Sequence, residues 1–417
     1  MKQRFILHSD LNNFFASVEM LSNPKWKNYA LLVVGNSELR HGIVLAKNNF
    51  AKSCGVKTGE TIYQAKLKCE GLPIKLIKTN IHKYAKYSIL VKNIYKEYSD
   101  NVESFGIDEA WLDISKTANS WDDAYEIAEI LRKEVKQKTG LTVSIGVSYN
   151  KIFAKLGSDL KKPDAVTVIT PENFKQVVWK LPKENLLFVG RKTKEKLEKY
   201  SIKTIGDLAN CNVEFLRNLL GKMGETLWTF ANGLDNSPVS VVNSIHQYKS
   251  IGNSVTCPYD LTEISEVETI FYILAESVAS RLKNHGLWAS TVQIVIKNKD
   301  FVTFDRQCKI DPPSNLSSDL ALASLKLFKE NYTFEKPVRL LGLQAKGLSY
   351  EQAQLSFFSI DKNYKKQCKI EETVEKIRKR YGPEKIKRGS VLKNAELANF
   401  NPHDPYTLSM EADDEFI

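Results

Sequence analysis

Two acids stand side by side in Glu103-Ser104-Phe105-Gly106-Ile107-Asp108-Glu109-Ala110-Trp111-Leu112-Asp113, between short runs of strand-forming residues. Strand, tight turn, strand is the simplest reading. It carries Asp108 and Glu109 to one edge of a sheet, where two like charges oppose each other's ionisation unless a cation lies between them. Taken alone, an Asp-Glu pair also suits a solvated hairpin tip. A third acid weighs against that. Arg4-Phe5-Ile6-Leu7-His8 reads as a buried strand running into Ser9-Asp10-Leu11-Asn12-Asn13-Phe14-Phe15-Ala16-Ser17-Val18-Glu19, so Asp10 closes a strand. Hard divalent cations such as Mg²⁺ prefer a few carboxylates together with phosphate oxygens of a substrate. Three acids from two strand ends therefore suit metal-assisted phosphoryl transfer, and Asp10, Asp108 and Glu109 form the candidate site. His8 is expected to pack beside the sheet rather than to ligate metal.

The chain that must position these acids has 417 residues, enough for several compact cores. Sixty Lys and Arg face 49 Asp and Glu, a net charge of +11, which favours polyanions such as nucleic acid. No apolar run approaches the roughly 20 residues of a membrane helix, and the start lacks the order of a signal peptide. The expectation is a soluble cytoplasmic protein with no membrane partner. Six scattered cysteines without paired spacing indicate neither a disulfide framework nor a zinc site.

In chain order, residues 14–24 have helical spacing, with Phe14 and Val18 facing a core and Phe15 one turn beyond Asp10, where a ring can floor a nucleotide sugar. Residues 30–34 and 42–46 read as strands of a small unit ending near 78, in which Lys47-Asn48-Asn49-Phe50-Ala51-Lys52 opens a helix facing a triphosphate or plain solvent. Helices over 82–98 and 122–138 flank the acidic hairpin, and 141–148 is a strand. A helix from Asn150 then carries Lys151, Lys155 and Lys162 to a stop at Pro163. The fold class is α+β, with one sheet presenting all three acids.

These residues resemble a known family. Asp10 through Glu19 is similar to the first motif of Y-family translesion DNA polymerases of the polymerase IV and UmuC kind. Ile107 through Asp113 is similar to the second, followed at similar distance by Ser148-Tyr149-Asn150-Lys151 and Lys162-Pro163. The resemblance covers nearly the whole chain. It implies a multidomain right hand: a palm over 1–13 and 79–169, small fingers over 14–78, a helical thumb over 170–236, a linker over 237–247, an α/β little finger over 248–347 and a C-terminal tail over 348–417. It implies two Mg²⁺ ions, with Mn²⁺ able to substitute, held by Asp10, Asp108, Glu109 and the Leu11 carbonyl. It also implies nucleotide contacts from Phe14, Phe15, Asn49, Lys52 and Lys162, with Phe15 as steric gate against a ribose hydroxyl. Asn12, Gly106, Asn49 and Lys52 depart from the family pattern, and Lys cannot reproduce the bidentate fork of an Arg.

Downstream, Phe188-Val189-Gly190-Arg191-Lys192-Thr193 and Leu220-Gly221-Lys222-Met223-Gly224 resemble helix-hairpin-helix turns, where glycines let backbone N–H groups approach DNA phosphates. Gly190, Lys192, Gly221 and Gly224 are the candidate DNA contacts, and Phe188 stands where the motif has a glycine. The order strand, helix, two strands, helix, strand from Lys249 to Leu343 matches the little finger, expected along the template-primer backbone. Gln354-Leu355-Ser356-Phe357-Phe358 resembles the pentapeptide that docks bacterial polymerases on the sliding clamp, the β subunit of the replicative polymerase; a strand folded back on its own domain is the alternative. Residues 369–380 read as a charged helix and the end of the chain as an acidic mobile segment.

The resulting expectation is a monomeric, template-directed DNA polymerase of the error-prone, damage-bypass type without proofreading, acting on primer-template DNA and dNTPs. Another two-metal palm enzyme, cyclase or nuclease, and a non-catalytic DNA-binding scaffold are the rival classes. Replacing Phe357 and Phe358 with Ala should abolish clamp-stimulated synthesis and spare basal synthesis in a primer-extension assay; equal loss of both would reject docking through this segment.

Overall fold

The computed structural model describes residues 3–35, 42–240, 248–350, 362–382, 385–394 and 397. The pentapeptide 354–358 and the acidic end of the chain lie outside them. The chain divides into two compact units at residues 244/245, inside the stretch read as a linker.

The first unit runs β1 (Ile6–Leu11), α1 (Phe14–Ser22), β2 (Ala30–Val34), β3 (Val44–Lys47), α2 (Asn49–Ser53), α3 (Ile62–Lys68), β4 (Ile74–Lys78), α4 (Ile81–Lys96), β5 (Val102–Ser104), β6 (Glu109–Asp113), α5 (Trp121–Thr139), β7 (Val143–Ser148), α6 (Lys151–Leu160) and β8 (Val166–Ile169). Its main sheet has the order β5-β6-β1-β7-β8, and every residue of the central β1 is buried. Because strand residues alternate faces, Leu7 and Leu11 pack with Tyr84 and Val91 of α4 and Leu131 and Val135 of α5. Ile6, His8 and Asp10 share the opposite face, and there Ile6 meets Trp111 and Ala154 of α6.

Antiparallel register then does the positioning. Asp10 sits directly opposite Glu109, His8 opposite Trp111, and His8 opposite Gly146 on the other side. Helix α6 lies so close to β7 that a Cβ on Gly146 would stand 1.9 Å from the Ala154 carbonyl oxygen and 2.5 Å from the Ser158 nitrogen. Only glycine permits that approach. It brings Lys155 and Ser158 onto the acid-bearing face.

The small sheet β3-β2-β4 has its own core, with Leu32, Val44, Ala51 and Ala65 buried. After β8 come α7 (Phe174–Val177), α8 (Arg191–Glu198), α9 (Ile205–Ala209), α10 (Val213–Leu220) and α11 (Lys222–Ala231), packed around Leu197, Leu208, Leu216 and Leu227.

The second unit is an antiparallel sheet of order β11-β10-β12-β9, from β9 (Ser250–Leu261), β10 (Trp288–Asn298), β11 (Thr303–Ser314) and β12 (Val338–Ser349). Helices α12 (Ile264–Asn284) and α13 (Ser317–Asn331) cover one face through Phe271, Leu274, Val278 and Phe328. The strands are longer than their apolar runs, because exposed polar residues continue the ladders.

The charged helix expected over 369–380 is α14 (Lys362–Tyr381), and several of its charges are paired with the rest of this unit. Glu371 bonds Lys283, the Ser317 N–H (3.0 Å) and Arg388 (3.3 Å), while Glu276 holds both Arg378 and Arg388 at 2.9 Å. Burial raises the Glu371 carboxyl, but Lys283 and Ser317 outweigh it and hold the group below its ordinary range. Val391 and Leu397 are buried as well, so folded structure reaches past residue 390. Among the described residues no helix is long and apolar enough to cross a membrane.

Candidate active site

The three acids meet where β1 and β6 end side by side. Asp10 and Glu109 are cross-strand partners, and the Leu11 N–H donates to the Asp108 carbonyl at 3.0 Å, which ties the turn residue Asp108 to the same corner. Gly106, with φ 80°, makes the turn between β5 and β6. Lys92 donates to the Gly106 carbonyl at 3.0 Å, and Ser88 bonds the Ile107 carbonyl, so α4 holds the turn from below. The helical spacing of residues 82–98 thus serves the acids directly.

Protein cations meet two of the three carboxylates. Lys162 Nζ lies 2.6 Å from Asp10 Oδ2 and 2.8 Å from Asp159. Lys155 Nζ bonds Glu109 Oε2, and His8 Nε2 lies 3.1 Å from the same oxygen. Lys151 pairs instead with Glu103 and sits over the Trp111 ring. Helix α6 ends at Leu160, so Lys162 belongs to the turn that follows rather than to the helix.

Burial dominates the electrostatics. It pushes the Asp10 carboxyl up to about 6 against the pull of Lys162, and raises Asp108 with the help of the Glu109 charge. Glu109 goes the other way: burial would raise it, but the His8 bond and the Lys155 ammonium bring it to about 2. Burial lowers His8. Three carboxylates thus face two ammonium groups in a place poor in water. Buried oxygen donors short of compensating charge fit a hard divalent cation. Among the described residues no three His, Cys, Asp or Glu side chains already stand as a ligand cluster, and Glu109 Oε2 is bonded by His8 and Lys155.

Helix α1 starts beside these acids, and the nucleotide residues read from the sequence divide there. The Phe14 ring is buried in the core, so only its backbone N–H at the helix start is left for a ligand. Phe15 is half-buried and stacks on Tyr84, with centroids 4.2 Å apart and planes 14° apart. Tyr84 is itself fixed, its hydroxyl donating to Glu19 Oε1 at 2.8 Å while Lys83 holds Oε2. Asn49 accepts from Asn13 at 2.8 Å, which ties α2 to the start of α1, and Lys52 is exposed.

In the helical segment, Gly190 and Gly221 are exposed and begin α8 and α11 without a side-chain cap. Gly221, with φ 68° and ψ −150°, needs a conformation almost confined to glycine. Lys192 is exposed on α8. Gly224 is different: it is buried, and a Cβ there would stand 2.0 Å from the Leu216 carbonyl oxygen, so it packs α10 against α11. Phe188 takes a positive φ of 70° with its ring exposed.

Sequence reasoning missed how much rests on Asn12. Its Nδ2 donates to Ser144 Oγ and its Oδ1 accepts from the Asp164 N–H, both at 2.8 Å. Asp164 in turn pairs with Arg132 and Lys136. Asn12 therefore links β1, β7 and the turn bearing Lys162. A buried amide at a strand end is the signal that pointed there.

Comparison with known proteins agrees with this geometry. Residues 9–159 match the impB/mucB/samB family, 248–357 its C-terminal domain, and 184–235 the thumb domain of DNA polymerase iota. The chain is 48% identical over 397 residues to DNA polymerase IV of Acetivibrio thermocellus, covering 95% of this chain and 99% of the relative. It is 36% identical over 398 residues to DNA polymerase IV 1 of Bacillus subtilis, covering 95% of each. Among solved structures, a chimeric Y-family DNA polymerase superposes with a TM-score of 0.73 at 22% identity, over 83% of this chain and all of that one, a likeness of fold.

The raised Asp10 carboxyl has a measurable consequence. Its folded value near 6 exceeds the ordinary 3.8, so its contribution to stability is complete below the ordinary value and is lost as pH rises through about 6. Glu109, held low, contributes in the opposite sense and only at more acid pH. With divalent ions chelated, unfolding free energy should fall by about 1–3 kcal/mol between about pH 5 and pH 8, and Asp10→Asn should remove that part of the fall. Denaturant titrations across this range check it; the same fall in the variant would contradict the assignment.

Proposed function

We propose, because this chain belongs to the Y family of DNA polymerases, in its DNA polymerase IV branch, that it extends a primer 3′ end by template-directed nucleotidyl transfer through the acids at the β1–β6 corner. It is a DNA-directed DNA polymerase of the translesion type. The observation that carries the site assignment is the cross-strand pairing of Asp10 with Glu109 beside Asp108, with all three acids grouped about one sheet corner.

Asp10, Asp108, Glu109 and the Leu11 carbonyl would hold two Mg²⁺, for which Mn²⁺ can substitute; when bound, such a pair lowers the pKa of the primer hydroxyl and neutralises charge on the phosphates. The remaining work belongs to the chain's own groups. Lys162, now on Asp10, is within a side chain's reach of an incoming triphosphate and exchanges one anion for another. The opening N–H groups of α1, Phe14 first, face the same anion with the favourable end of the helix dipole. Lys52 and Asn49 on α2 supply donors from the small sheet. Phe15, backed by the Tyr84 ring, closes on the sugar where a 2′ hydroxyl would project. Gly190 and Gly221, with Lys192, offer backbone N–H groups and charge to DNA phosphates, and Gly224 keeps α10 close to α11.

The same reading makes the residues before 79 fingers, the main sheet a palm, the helices after β8 a thumb and the second unit a little finger. It takes primer-template DNA and dNTPs as substrates. It makes the chain a cytoplasmic monomer recruited by the sliding clamp through Gln354, Leu355, Phe357 and Phe358.

Primer extension with purified protein tests the assignment. Asp108→Asn should lower extension by at least about 10³-fold while primer-template affinity stays within about twofold, since the carboxylate acts on the reacting atoms rather than on the duplex. Retained extension would remove Asp108 from the site. Phe15→Ala should admit ribonucleotides, read as a large fall in dNTP over rNTP preference at unchanged fold; unaltered sugar discrimination would place the gate elsewhere.

A further inference from the structure

Glu109 is held by a group that the proposed reaction does not use. His8 is fully buried, its ring edge-on to Trp111 at 5.2 Å, with Nε2 3.1 Å from Glu109 Oε2 and Nδ1 2.8 Å from Ser158 Oγ. We propose that His8, held from behind by Ser158, is a positioning residue that aims the Glu109 carboxylate at the metal site. This rests on Glu109 being one of the metal-binding acids.

The hydrogen-bond logic is restrictive. A carboxylate only accepts, so the proton between His8 and Glu109 belongs to Nε2. At the far side of the ring, Nδ1 and the Ser158 hydroxyl are hydrogen-bonded at 2.8 Å, and that hydroxyl donates to the Lys155 carbonyl at 2.7 Å. Ser158, anchored in this way on α6, holds the ring from behind. Both His8 and Lys155 bond Oε2, so the carboxylate is fixed through that oxygen and Oε1 keeps a defined direction.

The elements that make this arrangement are specific. His8 lies two residues before Asp10 on the same face of β1, so both side chains point toward α6. Ser158 reaches the ring because α6 rests on Gly146, His8's cross-strand partner. A purely structural histidine would need no such alignment with an acid of the site. Groups that orient metal ligands from behind change metal affinity by about 10- to 100-fold when removed.

The test uses the full chain with a dideoxy-terminated primer-template and a matched dNTP, and reads Mn²⁺ affinity by electron paramagnetic resonance. Glu109→Gln comes first. Unchanged Mn²⁺ binding there would sink the metal assignment itself, and the role of His8 with it. If Glu109→Gln weakens binding, His8→Phe, which keeps an aromatic ring against Trp111, should weaken Mn²⁺ about 10- to 100-fold at unaltered melting temperature and DNA affinity. Wild-type Mn²⁺ affinity in His8→Phe would overturn the proposal alone. Should His8→Phe fail to fold, Ser158→Ala takes its place, with the same expected direction and the same overturning result. Independently, ¹⁵N spectra of labelled imidazole in the wild type should show a proton on His8 Nε2; a ring bare at Nε2 would contradict the proposal.

Discussion

The structure depends on carboxylates that are buried faster than they are neutralised. Asp10 and Glu109 face each other across β1 and β6, and Asp108 joins them from the turn. Water is too scarce at that corner to carry the charge, which is why the Asp10 carboxyl is pushed up to about 6. A fold aimed only at stability would place leucines there. This one brings α6 and the turn after it close enough for Lys155 and Lys162 to cover the acids, by way of glycine at 146 and the amide of Asn12. Each of these devices costs conformational freedom or side-chain choice, and each is explained by the corner it serves.

That corner also organises what lies around it. Helix α4 supports the turn through Ser88 and Lys92 and, one turn into the same helix, sets Tyr84 behind Phe15. The bond between Asn13 and Asn49 joins the start of α1 to the small sheet's helix α2. One helix therefore fixes both the acids and the ring beside them, so a change in α4 packing would move both together.

Much of this was legible in the sequence, and the reasons are physical. The acidic hairpin declares itself by strand formers on either side of a Gly-containing turn, and the register that pairs Asp10 with Glu109 follows from two strands of opposite direction ending together. What sequence could not supply was the third dimension of charge. Lys155 and Lys162 read only as basic residues carried by one helix, yet they lie on acids, because α6 crosses the sheet at a Gly-Ala contact that no periodicity reveals. The partners of Glu371 and Arg378 on α14 were hidden for the same reason: Lys283 and Glu276 are remote along the chain. Gly224 resembled a phosphate-gripping glycine and is a packing glycine, a distinction set by what stands opposite it.

The central claim is that Lys162, on Asp10, holds the place of a metal ion. Anomalous diffraction from Mn²⁺ in crystals of the full chain with primer-template and a non-hydrolysable dNTP tests it most directly. The account predicts metal peaks bonded to Asp10 and Asp108 with the Lys162 ammonium withdrawn from Asp10. Metal peaks that leave Asp10 out, with Lys162 still bound to it, would contradict the account.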